Sequence, residues 1–124
     1  MSKYVDVYLL PIPEANVLKY KKMATAVGKL FRKHGALTYK EYVASDLKVE
    51  GGVIAFNKVV KLKPGETLVY AEVGFKSEAH RNKAMKAIFD DPAMGAGMEE
   101  MDSTNPIFDM KRMVYGGFKI LVDV

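Results

Sequence analysis

Residues 3–10 alternate Tyr4, Asp6, Tyr8 and Leu10 with Val5, Val7 and Leu9, a period of two that predicts a strand. The valine set is expected to face the core, which leaves the tyrosines and Asp6 on the other side. Pro11 and Pro13 then stop the strand. From Glu14 to His34, apolar residues recur at three- and four-residue steps: Val17, Tyr20, Met23, Ala24, Val27, Leu30 and Phe31. That spacing predicts an amphipathic helix, closed by Gly35 as a left-handed cap. Residues 36–45 read as a second strand, with Leu37, Tyr39, Glu41 and Val43 on one side. After a loop around Gly51-Gly52, the alternating runs 58–63 and 67–75 flank Pro64-Gly65-Glu66, which predicts a turn between them; the second run is the third main strand and the first an inserted extended segment. Ser77 is an N-cap for a helix over 78–90 whose inner face is His80, Ala84, Ala87 and Ile88. Asp91-Pro92 ends it. Residues 92–110 are expected to be irregular, with Met94, Met98, Met101 and Met110 around Gly95 and Gly97. The last strand spans 113–122, and Gly116-Gly117 within it predicts a bulge or a close approach to the backbone.

The order β-α-β-β-α-β defines one α+β domain over 1–124: a ferredoxin-like, four-stranded antiparallel sheet with two helices on one face. What lies on the other face then matters. Tyr4, Tyr8 and Leu10, with Tyr39 and Val43 (or Tyr42 and Ala44) and Leu68 and Tyr70, are expected there. An apolar patch of that extent marks an interface, and pairing of two sheets into a twofold homodimer would bury it. Asp6, Glu41 and Glu72 on the same face would need partners, for which Lys40, Arg112 and Lys119 are available.

Composition narrows the chemistry. The chain has 124 residues and no cysteine, so disulfides, thiolate metal sites and thiol catalysis are excluded. No run approaches the roughly 18 apolar residues of a membrane span, and the N-terminus has no signal-peptide core; a cytoplasmic protein is expected. The net charge of +4 raises nucleic acid as a partner. The lysines are scattered except on residues 19–33, however, and only three residues are arginine. The RNA-recognition fold has the same element order, but its lysine/arginine-glycine-aromatic signature is missing around Tyr70 and Phe75. Two histidines, neither with a carboxylate three or four residues on, argue against a metal site, and no cofactor is expected.

The run Asp109-Met110-Lys111-Arg112-Met113-Val114-Tyr115-Gly116-Gly117-Phe118-Lys119, ending Leu121-Val122-Asp123, resembles the C-terminal signature of the YbaA-like family (domain of unknown function 1428). Tyr4-Val5-Asp6, Phe31-Arg32-Lys33-His34-Gly35-Ala36 and Ser77 through Asp91-Pro92 are similar to its first strand, the end of its first helix and its second helix. Met110 departs from the family pattern, which has glycine there. The resemblance implies the dimeric α/β-barrel architecture shared with cofactor-free monooxygenases, and it implies no activity.

The functional expectation is a small-molecule binding protein or cofactor-independent enzyme acting on a mostly apolar ligand. Its pocket is expected between helices and sheet under residues 94–110. His80 would shuttle a proton, Arg112 would anchor an anionic or carbonyl group, and Tyr115 would complete the catalytic set. Asp109, Glu72, Tyr70, Met94 and Met98 would bind the ligand. The competing class is a non-catalytic dimeric protein-interaction module.

Overall fold

The computed structural model describes residues 2–101 and 104–124, the side chains of residues 97–100 excepted. Four strands form one antiparallel sheet: β1 Tyr4–Pro13, β2 Thr38–Val43, β3 Glu66–Phe75 and β4 Val114–Lys119, in the order β2-β3-β1-β4. Two long helices, α1 Val17–Lys33 and α3 Glu78–Asp90, lie on one face. The ferredoxin-like order is therefore as expected. A four-residue helical turn, α2 Phe56–Val59, and a helix α4 Pro92–Met101 are additions to it.

Each long helix begins and ends where local chemistry dictates. α1 buries Tyr20, Ala24, Leu30 and Phe31 and stops at Gly35, whose φ of 108° is open to glycine without steric penalty. At the start of α3 the Ser77 hydroxyl accepts the His80 N–H at 3.0 Å. His80 Nδ1 in turn accepts the Lys76 N–H at 2.9 Å, so two helix-start donors are satisfied in the manner of a capping box. Asp91 closes α3 and opens α4. Its Oδ1 accepts the Ala93 N–H at 2.9 Å, and Pro92 takes the first helical position, where its missing N–H costs nothing. Residues 92–101 are thus helical rather than irregular, and Asp91-Pro92 is the signal for it.

Three further expectations are corrected. Residues 58–63 form no extended run, because Lys58 and Val59 belong to the helical turn α2, where the Val60 N–H meets the Phe56 carbonyl at 2.8 Å, while Lys63-Pro64-Gly65-Glu66 is the tight turn expected. The Glu66 N–H meets the Lys63 carbonyl at 3.0 Å and Gly65 has φ 79°, and this turn leads into β3 from a loop instead of joining a hairpin. Gly116 and Gly117 make no bulge, since the register Val7↔Gly116 and Asp6↔Gly117 is continuous. The close approach is real: a Cβ on Gly117 would collide with the Tyr4 phenol oxygen. The third correction concerns which side of β1 faces in. The helices cover Tyr4, Asp6, Tyr8, Leu10 and Ile12, not the valines. By register the same inner face carries Tyr39 and Glu41 of β2, Val69, Ala71, Val73 and Phe75 of β3, and Tyr115 of β4.

The open face consequently holds Val5, Val7 and Leu9 of β1, Tyr70 and Glu72 of β3, Tyr42 of β2, and Val114 and Phe118 of β4. Tyr42, Val114 and Phe118 are exposed. The open face is apolar, as expected, but with the opposite half of β1. Among the described residues, no helix is long and apolar enough to cross a membrane.

Candidate functional site

The interior is not one continuous core. One buried cluster gathers Tyr4, Phe31, Val73, Phe75 and Ile88, and a second gathers Leu10, Ile12, Tyr20, Ile107 and Phe108. Between them, over the inner face of the sheet, is a cavity of about 220 Å³. Tyr8, Ala71 and Tyr39 line its sheet side, and Tyr20, Val27 and Phe31 of α1 line another wall. Six methionines line it as well: Met23, Met85, Met94, Met101, Met110 and Met113. Thioether side chains are unbranched and polarizable, so such a lining adapts to an irregular apolar occupant.

Among the described residues one carboxylate reaches this cavity, that of Glu41. The Tyr39 hydroxyl donates to its Oε2 at 2.5 Å, and the Tyr20 hydroxyl donates to its Oε1. Burial, reinforced by the nearby carboxylate, pushes both phenols well above their ordinary range; they remain donors throughout the physiological pH range. Tyr39 reaches this position because α1 is bare where the ring crosses it. A Cβ on Gly28 would lie 2.7 Å from Tyr39 Cδ1.

A second polar cluster adjoins the first. Asp6 is fully buried, and Arg81 of α3 donates from Nη1 to its Oδ1 at 2.7 Å. The same Nη1 meets the Tyr115 hydroxyl at 2.5 Å, and the guanidinium carbon stands 5.0 Å from the Tyr4 ring centroid, a cation–π distance. Burial raises the Asp6 carboxyl, and Arg81 and Tyr115 offset only part of that. Tyr115 packs on Tyr8 with ring centroids 4.8 Å apart, which carries the polar strip from Asp6 to the cavity wall.

The residues proposed from sequence do not gather in one place. His80 stands at the Phe75 end of β3, its ring edge-on to Phe75 at 5.7 Å. Arg112 stands at the Glu66 end, donating to both Glu66 oxygens at 2.7 and 2.8 Å and to the Lys61 carbonyl at 2.6 Å. A ten-residue strand, about 30 Å long, separates the two. Asp109 caps the turn at Met110–Arg112, accepting the Lys111 N–H at 3.0 Å. Tyr70 and Glu72 bond to each other at 3.0 Å on the open face, so they are outside the helix-covered interior. Met94 lines the cavity; the Met98 side chain falls outside the described residues. Tyr115 adjoins the cavity through Tyr8. None of Lys40, Arg112 and Lys119 forms an ion pair with Asp6, Glu41 or Glu72 among the described residues. Asp6 pairs with Arg81 instead, and Glu41 with two tyrosines.

Sequence reasoning alone misses Arg81, Tyr20 and Glu41 as site residues. Arg81 carries a signal: with Ala84, Met85 and Ile88 it makes an i, i+3, i+4, i+7 stripe, a better inner face than one drawn through His80. Among the described residues no group of three or more potential ligands could hold a metal ion.

Fold and interior together define an α+β protein of the ferredoxin-like kind with a small, largely apolar chamber between sheet and helices. Residues 3–110 match the family described as "Protein of unknown function (DUF1428)", and the chain belongs to that family. It is 35% identical over 121 residues to the uncharacterized protein YbaA of Escherichia coli K12, covering 98% of each chain, and equally to that of Shigella flexneri. Among solved structures it is similar to a dimeric ferredoxin-like protein from an uncultured marine organism. That match has TM-score 0.55 and 10% identity and covers 100% of both chains. It is also similar to a nipsnap family protein with unknown function from Agrobacterium tumefaciens, with TM-score 0.56 and 13% identity, covering 96% of this chain and 88% of that one. At these identities the structures support the fold alone.

Proposed function

We propose that this chain is a cytoplasmic, homodimeric small-molecule-binding protein whose ligand occupies the chamber between helices and sheet. The carrying observation is the chamber itself: six methionines facing a carboxylate held by two tyrosines. Its volume of about 220 Å³ is below the roughly 300–1,000 Å³ of drug-sized sites, so the ligand is compact and mostly apolar. A few fixed polar groups in an apolar wall are the usual means of orienting such a ligand. Pairing of two copies through the open face would cover Val7, Tyr42, Val114 and Phe118, which one copy leaves in or near solvent. The description of the similar marine protein as dimeric supports that assembly.

The methionines provide the test. With labelled methionine methyl groups, titration with octanol is expected to shift the resonances of the six cavity methionines. Filling the chamber by Ala71→Leu should suppress those shifts while the dimer mass in a native mass spectrum is retained. Cavity resonances that ignore the titrant, or shifts that persist undiminished in the filled variant, would remove the chamber as the binding site.

A further inference from the structure

The chamber is not the only concavity that touches Glu41. On the flank where α1 runs beside the edge strand β2 there is an open groove of about 700 Å³. It shares Tyr20, Ala24, Tyr39 and Glu41 with the chamber. The Tyr20–Glu41–Tyr39 cluster is therefore a partition between two concavities that both open to solvent, one apolar and the other edged with cations. The groove side differs sharply in charge, for Lys21, Lys29 and Arg32 of α1 line it and all three are exposed. Among the described residues Glu41 is the only carboxylate that lines it, and two hydroxyls already occupy it.

We infer that the ligand is an amphipathic anion, with its apolar part in the methionine-lined chamber and its head group on the cationic rim formed by Lys21, Lys29 and Arg32. This rests on the chamber being the binding site. The partition sets the orientation. Glu41 repels a negative head on both sides, but only the groove side has Lys21, Lys29 and Arg32 to outweigh it, and an arginine guanidinium suits a planar carboxylate. Tyr39 is the packed element of the partition, its ring on the bare backbone of Gly28 and beside Phe31, its hydroxyl bonded to Glu41. A second cationic flank exists, where Lys19, Lys22, Lys29 and Lys33 line a groove between α1 and α4. That groove shares Met23, Val27 and Met94 with the chamber, and none of the three can hold a head group by a strong hydrogen bond. The two flanks carry similar charge, and charge-matched variants of each distinguish them.

The experiment compares octanoate with octanol, equal in chain length, by the methionine methyl titration in the wild type and two charge-matched double variants. Octanoate is expected to bind at least tenfold more tightly than octanol, with the preference shrinking as salt rises. Lys21→Ala/Arg32→Ala should abolish that preference by weakening octanoate about tenfold. Lys19→Ala/Lys22→Ala, the same loss of charge on the other flank, should preserve it. Octanol binding without any octanoate preference would overturn the inference and leave the chamber reading intact. So would a preference lost only with Lys19 and Lys22, since the head group would then sit between α1 and α4. Binding of neither compound would overturn both.

Discussion

Asp6 and Glu41 are carboxylates on the same covered face of one sheet, one on a central strand and one on an edge strand, and the protein answers them differently. Asp6 is fully buried and meets a guanidinium at 2.7 Å. Glu41 is half-buried and meets only neutral phenols. A buried charge without a counter-charge is tolerable only where hydrogen bonds and some access to solvent replace the missing partner. The first arrangement ties α3 to β1 and is committed to holding the fold. The second leaves a carboxylate without a counter-charge at the wall of a chamber.

The sharpest way to break this contrast is to remove the cation. Arg81→Ala should destabilise the protein by about 3–5 kcal/mol in a denaturant titration, because it leaves Asp6 buried and unpaired. Adding Asp6→Leu to that variant should recover most of the loss. A double variant no more stable than Arg81→Ala would mean that the cluster acts through packing of Tyr4 and Tyr115 and not through charge. Gly117→Ala tests the packing directly. Its methyl group must displace the Tyr4 hydroxyl, at an expected cost of about 1–3 kcal/mol, and the tyrosine that faces Arg81 moves with it.

For the second carboxylate the expected effect is smaller. Glu41→Gln keeps an acceptor for one tyrosine, reverses the other bond so that the amide N–H donates to a phenol oxygen, and loses the charge assistance, about 1 kcal/mol in all. A cost as large as that of Arg81→Ala would show that Glu41 is a structural keystone too, and the contrast would collapse. A third carboxylate, at the surface, calibrates the pair. Asp91 is held down to about 2 from an ordinary 3.8, chiefly by the hydrogen bond from His34 at 2.8 Å and then by the Ala93 N–H and Lys33. Its native value lies below its unfolded one, so its contribution is present above about pH 4 and is lost as pH falls toward 2. Asp91→Asn should flatten the acid limb of the stability curve in that window alone, and an unchanged limb would assign acid unfolding to other carboxylates.

Much of this architecture was legible because the period of each element is written in its own residues. Helix 78–90 matches its predicted bounds, since Ser77 before it and Asp91-Pro92 after it are local signals. The facing of β1 was not legible. Both halves of this strand are apolar enough to be covered, so alternation separates Val5, Val7 and Leu9 from Tyr4, Tyr8 and Leu10 without saying which set meets the helices. Asp6 argued for the open side, and only Arg81, 75 residues away, reverses that argument. The site failed for the same reason. His80 and Arg112 carry conspicuous chemistry, but each is already engaged locally, His80 at a helix start and Arg112 at the Lys63–Glu66 turn. Tyr20, Tyr39 and Glu41 are unremarkable until the fold sets an edge strand against α1.

The sheet order has a consequence for how the protein is made. The first of the four strands to leave the ribosome ends up inside the sheet, and one of its two neighbours is the fourth, with Tyr4 opposite Lys119. Until β4 emerges, one edge of β1 has no partner, and the Asp6–Arg81 pair lacks Tyr115. Such a nascent chain offers an unpaired edge to its neighbours on a polysome, and the sheet closes only when its first and fourth strands meet.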